Sequence, residues 1–243
     1  MSLNKIIYKN IVFYFVLFFL LAIWAFWPNY FSHVLTDIQP HIHFHGITMS
    51  LWCLTLIGQA LLIRLKKYEI HRVVGKFSYV LAPLILISGF NTAHASIVDN
   101  IVHNGSYYST VALMFNSLIF FGILYGLAIY NVKKPLIHAR YMVCTLFPMF
   151  TPLTDRLIYF NFPSLVDLFP TIEGTPMVWL FGFVLANLIL IVLSIWDWQS
   201  KKRNTVFLFV LSINIIYNIS VIAFHKFSFW RRISDWIMGL PLS

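Results

Sequence analysis

Three histidines at alternate positions stand where a long apolar segment begins. Residues 40–46 read Pro-His-Ile-His-Phe-His-Gly. Pro40 favours the first turn of a helix, since its missing N–H would have no partner there. In that helix His41 and His45 lie four residues apart on one face, a spacing at which two imidazoles can chelate one metal ion. The alternative interpretation, which applies most directly to His43, is a run of histidines at a membrane surface.

The composition is that of an integral membrane protein. Of the 243 residues, 60% are hydrophobic and only 10% are charged, whereas about a quarter of a soluble domain is charged. The net charge of +9 does not indicate nucleic-acid binding, because basic residues of membrane proteins gather on cytoplasmic loops. Cys53 and Cys144 fall inside apolar segments without CxxC spacing, which favours a packing role.

Hydropathy predicts an all-α, polytopic helix bundle forming a single transmembrane domain over residues 1–243. A spanning helix needs about 20 mainly apolar residues. Seven transmembrane helices are predicted, at about 11–31, 41–63, 73–97, 109–131, 140–160, 176–198 and 205–226. The first resembles a signal peptide, but no small-residue cleavage site follows its long aromatic run, so we predict a retained helix. The short connections predict antiparallel sequential neighbours.

The distribution of charge orients this bundle with its N-terminus in the cytoplasm. The basic residues that then lie inside are Lys5, Lys9, Arg64, Lys66, Lys67, Arg72, Lys76, Lys133, Lys134, Arg140, Lys201, Lys202 and Arg203. The outer loops carry Asp37, Asp99, Asp167 and Glu173. At helical spacing, residues 227–240 place apolar side chains on one face and charged side chains on the opposite face. This pattern predicts an amphipathic helix in the membrane interface. We predict a bacterial inner-membrane location.

In this topology four polar residues come to a similar level. At about 1.5 Å per residue, His94 and His225 lie about 30 Å above the inner ends of their helices and Asp155 about 22 Å above. His45 lies about 7 Å below the outer start of its helix. Polar side chains at such depths face the bundle interior or a wet cavity. Asn214, Asn218 and His225 share one helical stripe, as do Pro148, Thr151 and Asp155.

Pro148 and Pro152 each remove a backbone hydrogen bond, so we expect a kink in the fifth span just below Asp155.

Three histidines and a carboxylate at one level form a suitable ligand set for zinc, copper or iron. Pairs of the same histidines suit the axial positions of haem b. The alternative is a buried polar network without a cofactor, in which Asp155 pairs with Arg156 or another cation. The predicted metal ligands are His41, His45, His94, His225 and Asp155. The predicted cofactor-binding residues are His45, His94, His225, Met49 and Arg156.

Two short motifs open later spans. Residues 71–75 read HRVVG, residues 138–142 read HARYM, and Arg156 follows. The pattern HR-x-x-G, H-x-R-x-M resembles an uncharacterised bacterial family of small polytopic membrane proteins, a domain of unknown function, over residues 41–160. The resemblance implies a multi-helix membrane protein with important histidines and no established activity.

Residues 45–49, HGITM, resemble the haem-ligating helices of haem-copper oxidase main subunits and of transmembrane cytochromes b. By that resemblance His45 would be a haem ligand. The chain is far shorter than an oxidase main subunit. His71 and His94 are about 34 Å apart along one helix, too far for two stacked haems in one four-helix core.

We therefore expect a metal- or haem-binding membrane protein with an outward-facing histidine site and a redox or metal-handling role in the cell envelope. Its candidate partners are the lipid bilayer, a quinone, a lipid or an envelope redox protein. One alternative is a membrane-embedded zinc hydrolase with Asp155 as the catalytic general base. The other is a cofactor-free transporter or sensor that uses a buried polar path.

Overall fold

The computed structural model describes residues 3–36, 38–98, 103–199 and 205–242, with side chains from residue 10 onward. The α-helices in these ranges are α1 (Leu3–Phe26), α2 (Pro40–Arg64), α3 (Tyr68–Gly75), α4 (Ser78–Ile97), α5 (Gly105–Tyr130), α6 (Pro135–Cys144), α7 (Phe150–Asn161), α8 (Leu180–Gln199), α9 (Val206–Ala223) and α10 (Ser228–Met238). The charges predicted at Asp37, Asp99, Lys201, Lys202 and Arg203 lie outside the described residues, as do the side chains of Lys5 and Lys9.

Within the described residues, five helical segments are long and apolar enough to cross a membrane. They are Pro40–Arg64, Tyr68–Ile97, Gly105–Tyr130, Leu180–Gln199 and Val206–Lys226. Their outer faces carry large exposed apolar side chains, which suits contact with lipid tails. The prediction of an all-α bundle with membrane-length helices is confirmed at this level.

Four predicted spans differ from the helices that form. The span predicted at 73–97 contains the end of α3 and all of α4, and the helix of the span predicted at 176–198 begins only at Leu180. The segment predicted at 11–31 is too long at its C-terminal end, because α1 ends at Phe26. The reason is Pro28, since the residue before a proline is disfavoured in helical conformation. The segment predicted at 140–160 is two helices, α6 and α7, separated by a short 3-10 turn at Phe147–Met149. Pro148 lies in that turn. Pro152 lies in the first turn of α7, where its missing N–H has no helical partner anyway.

Seven of the helices in the described part of the chain pack in a closed ring. The contacts run from α1 to α2, α4, α5, α9, α8, α7 and back to α1. The interruption of the fifth span allows α6 to pack on α5 and α9 while α7 packs on α8 and α1. Sequential helices are thus mostly neighbours, as short connections require.

Trp52 fills the space beside this interruption and is completely buried. Its indole N–H donates to Oγ1 of Thr145, 3.3 Å away, at the end of α6. Its ring meets Phe121 and Tyr125 of α5 edge-on, with centroids 5.2 and 5.7 Å away. A single aromatic side chain therefore joins α2, α5 and the broken span.

The C-terminal helix α10 folds back onto α5. The indole N–H of Trp230 donates to the carbonyl oxygen of Tyr108 at 3.0 Å. The hydroxyl of Tyr108 donates to the carboxylate of Asp235 at 3.2 Å. Ile233 and Trp236 are left exposed, the latter at 68%. The helix therefore has one side on the bundle and an exposed apolar side.

Candidate functional site

The placement of α7 depends on one glycine of α8. A Cβ built on Gly182 would lie 2.6 Å from Oγ1 of Thr154 and 2.7 Å from Cα of Thr151. Only glycine permits backbones to approach this closely, a common device between membrane helices. With the two threonines against α8, the adjacent Asp155 and Arg156 border the space between α7 and α5.

That space is a cavity of about 260 Å³. Asp155, Arg156 and Tyr159 of α7 line one wall, and Trp179 also lines the cavity. The facing wall is the hydroxyl-bearing side of α5, and Ile172, Thr175 and Pro176 also line the cavity. The lining therefore combines a carboxylate, a guanidinium, several hydroxyls and two aromatic rings.

The hydroxyls of α5 present acceptor oxygens to the cavity. Ser109, Thr110 and Ser117 each donate their proton to a backbone carbonyl, at 2.8, 2.9 and 2.6 Å. A hydroxyl that has used its proton in this way keeps lone pairs for a donor. This wall thus favours a ligand that donates hydrogen bonds.

Asp155 and Arg156 carry opposite charges without forming an ion pair. Within the part of the chain that the structure describes, neither side chain has a hydrogen-bond or salt-bridge partner. The Oδ1 atom of Asp155 is buried with no donor. A buried polar group without a partner costs about 1–3 kcal/mol, and more when it is charged. Both groups are therefore available to a molecule in the cavity.

A two-stranded hairpin contributes part of the cavity lining. Thr171 pairs with Pro176 and Ile172 with Thr175. The two turn residues, Glu173 and Gly174, have φ angles of 48° and 83°, as a two-residue hairpin turn of type I′ requires. This left-handed conformation is unfavourable for glutamate, so another interaction must fix it.

That interaction is with the N-terminus of α5. Oε2 of Glu173 accepts a hydrogen bond from the backbone N–H of Gly105 at 2.7 Å. A Cβ on Gly105 would lie 2.8 Å from Oε1 of Glu173 and 3.1 Å from Cδ2 of His225. Gly105 therefore makes room for both side chains, and His225 lies beside the hydrogen bond between Glu173 and Gly105. The Nδ1 atom of His225 is buried without a hydrogen-bond partner.

His45 contacts the neighbouring helix α4. Its Nδ1 lies 3.2 Å from Oγ of Ser88, and the same Oγ lies 2.9 Å from Oγ1 of Thr48. One turn nearer the start of α2, the backbone carbonyl of His41 accepts from Oγ1 of Thr92 at 3.0 Å. These contacts give both residues a role in joining α2 to α4.

Gly46, the glycine of the HG-x-x-M motif, has a packing role. A Cβ at this position would overlap the ring of Tyr30. The Tyr30 hydroxyl lies 3.5 Å from Nδ1 of His43. Burial raises the pKa of Tyr30, so its hydroxyl keeps its proton and can donate. Met49 packs at the edge of the core around Trp52.

His94 is the most deeply buried of the predicted ligands. Its side chain on α4 is only 3% exposed, and its Nε2 atom has no hydrogen-bond partner. The described residues contain no group of three or more histidine, cysteine, aspartate or glutamate side chains that could hold a metal ion. The residues predicted as one set thus lie in separate surroundings: His45 with Ser88, His225 with Gly105, and Asp155 in the cavity. Metal or haem binding stays a prediction.

At the opposite end of the bundle, Arg140 and Asp197 form a buried ion pair between α6 and α8. The guanidinium also lies over the ring of Phe207, 5.6 Å from its centroid. Nδ1 of His138 lies 2.9 Å from the carbonyl oxygen of Ala128. The H-x-R motif of α6 therefore contacts three other helices, α5, α8 and α9, at this end of the bundle.

The α5 wall and the hairpin were not predicted from the sequence. Ser106, Ser109, Thr110 and Ser117 fall on one helical face within an otherwise apolar span, and that spacing was present in the sequence. Glu173 gives only a weak signal, because its role depends on a backbone N–H 68 residues away.

Comparisons of this chain with models of known protein families, with curated proteins and with solved structures found no match.

Proposed function

We propose that this protein is a cofactor-free carrier or sensor that binds a small polar molecule in the cavity between α5 and α7. The observation that carries the proposal is the pair Asp155 and Arg156, which line this cavity and have no partner in the described part of the chain. Ionisable side chains within the membrane have a high free-energy cost of burial, and they mark substrate or ion pathways. The lipid bilayer is the surrounding medium of this site.

We further propose seven spans with the N-terminus in the cytoplasm and the cavity at the outer side. The apolar helix Asn10–Phe26 and the interrupted pair α6–α7 add two spans to the five long segments. The excess of basic residues on alternate connections supports the orientation. A bacterial inner membrane suits this arrangement, and α10 would lie in its outer interface with Trp236 toward lipid.

The second candidate function is metal or haem binding with a redox or metal-handling role. The observation that favours it is the buried, unpartnered Nε2 of His94. A visible spectrum and elemental analysis of the detergent-purified protein test it, since haem gives a Soret band and a metal site gives about one equivalent of zinc, copper or iron. The zinc-hydrolase alternative has less support, because none of the described residues lining the cavity is a histidine.

A cavity-blocking variant tests the proposed carrier or sensor. Thr110 lines the cavity and is partly exposed there, so Thr110→Trp fills it. The matched control is Ser212→Trp, on an exposed face of α9. In a thermal-shift screen of small polar compounds, we expect compounds that raise the Tm of wild type and of the control, because a ligand stabilises the state that binds it.

The same compounds should leave the Tm of Thr110→Trp unchanged. A response that survives in this variant places the ligand elsewhere, and a screen without any response contradicts the proposed function.

A further inference from the structure

We propose that the cavity takes a zwitterion, a molecule with a primary ammonium group and a carboxylate or phosphate a few bonds away. This inference rests on the proposed function and names its ligand class. It follows from the two charges of the cavity and from the hydrogen-bonding state of its other groups.

The ammonium end is specified by acceptors. Asp155 has no donor among the described residues, and the hydroxyls of Ser109 and Thr110 have given their protons to carbonyls. An ammonium has three donors and no acceptor, so it satisfies such a group of oxygens. Trp179 and Tyr159 also line the cavity, and aromatic faces attract cations.

The anionic end is specified by Arg156. Its guanidinium lines the same cavity and has no ion-pair or hydrogen-bond partner in the described ranges. Guanidinium groups bind carboxylates and phosphates through two parallel hydrogen bonds. Arg156 follows Asp155 directly in α7, so the two side chains point about 100° apart around the helix axis. A single ligand must therefore present its two charges to different parts of the cavity.

Charge balance separates a zwitterion from a simple ion. A cation alone would satisfy Asp155 and leave Arg156 unpaired beside a like charge. An anion alone would do the reverse. A ligand with both signs gives each of the two residues a partner of opposite charge, which neither a cation nor an anion alone does. The volume of about 260 Å³ lies just below the usual range of about 300–1,000 Å³ for drug-sized ligands, which suits a small molecule or a head group.

Two sources share this chemistry: a free amino acid and the head group of phosphatidylethanolamine. The experiment uses the full chain in phosphatidylglycerol nanodiscs, titrated with L-alanine and O-phosphoethanolamine as zwitterions. Ethylamine and propionate serve as the corresponding single charges. We expect at least one zwitterion to bind about tenfold or more tightly than either single charge, because each end adds a charge-assisted hydrogen bond.

Two variants test whether Asp155 binds the ammonium end of the ligand and Arg156 the anionic end. Asp155→Asn and Arg156→Gln should each weaken zwitterion binding by about tenfold or more. The matched controls, Asp167→Asn and Arg232→Gln, replace exposed charges and should change it by less than about twofold. The comparison of ligands on wild type keeps the test valid if a variant does not fold.

Nanodiscs with added phosphatidylethanolamine distinguish the sources. A lower apparent affinity for soluble O-phosphoethanolamine in these discs identifies the lipid head group, and an unchanged affinity identifies a free molecule. If ethylamine binds as tightly as the zwitterions, the zwitterion inference is overturned and the proposed function stands. If neither zwitterion binds, the inference is overturned, and the Thr110→Trp screen then decides the proposed function separately.

Discussion

Ser88 connects α4 to two polar side chains of α2. Its Oγ lies 3.2 Å from Nδ1 of His45 and 2.9 Å from Oγ1 of Thr48. Ser88→Ala removes both contacts and leaves two polar groups without this partner in an apolar interface. We expect the free energy of unfolding to fall by about 1–2 kcal/mol, above the average of about 0.6 for hydrogen bonds between membrane helices.

Denaturation in mixed micelles measures this loss. The control is Ser212→Ala, an exposed serine whose hydroxyl donates to the carbonyl of Leu208 in its own helix. It should change stability by less than about 0.5 kcal/mol. Equal losses in the two variants would mean that the contact of Ser88 with His45 and Thr48 contributes nothing.

Several buried positions could be predicted at the scale of residues, but their partners could not. The helical stripe of Asn214 and Asn218 predicted inward-facing side chains, and both are buried, at 1% and 7% exposure. The partner of Asn214 is Asn187 of α8, at 2.8 Å. Periodicity fixes which face of a helix is polar, whereas the rotation of one helix against another depends on packing. That rotation decides whether polar groups at one level meet.

At the scale of elements, the contact between α7 and α8 makes Gly182 indispensable. Gly182→Ala adds a Cβ that would lie 2.7 Å from the backbone of Thr151, so the helices must separate. We expect a loss of about 1–3 kcal/mol in the free energy of unfolding and a displaced cavity wall. The same denaturation measurement reports the stability.

Gly126→Ala is the matched control, because nothing lies within 4 Å of a Cβ built there. Alanine is favoured over glycine in a helix by about 1 kcal/mol, so this variant should be unchanged or more stable. A stable Gly182→Ala protein would show that α7 does not need this close approach.

The broken fifth span and the hairpin show which elements local sequence can predict. Pro148 predicted a distortion there, since proline lacks the N–H that a continuous helix needs. The complete separation of this span into α6 and α7, which pack on different neighbours, depends on tertiary contacts. The hairpin at 171–176 was not predicted. Its strands have only two residues each, too few to give an alternating pattern.

At the scale of the whole molecule, the ring of helices places the predicted ligands in different surroundings. α2, α4, α7 and α9 occupy different positions around it. The rise per residue of a helix allowed the depth of each residue along the membrane normal to be predicted from the sequence. The position of each helix around the ring could not be predicted in this way. Short connections predict which helices are neighbours, but they do not predict that the last helix closes onto the first. Residues at one level can therefore lie in separate surroundings.

The proposed topology predicts a pattern of chemical labelling. Three proposed spans separate Lys67 from Asp167, whereas two separate Lys67 from Lys134. Cysteine replaces each of these residues in turn, and a membrane-impermeant maleimide is applied to intact cells. The native Cys53 and Cys144 are buried at 4% and 0% exposure and should stay unlabelled. We expect Asp167→Cys to react from outside, and Lys67→Cys and Lys134→Cys only after permeabilisation, because basic loops are retained in the cytoplasm.

The reverse pattern would put the cavity on the cytoplasmic side and overturn the orientation. Labelling of Lys67→Cys and Asp167→Cys from the same side would instead overturn the number of spans, since an odd number of crossings must separate their two loops.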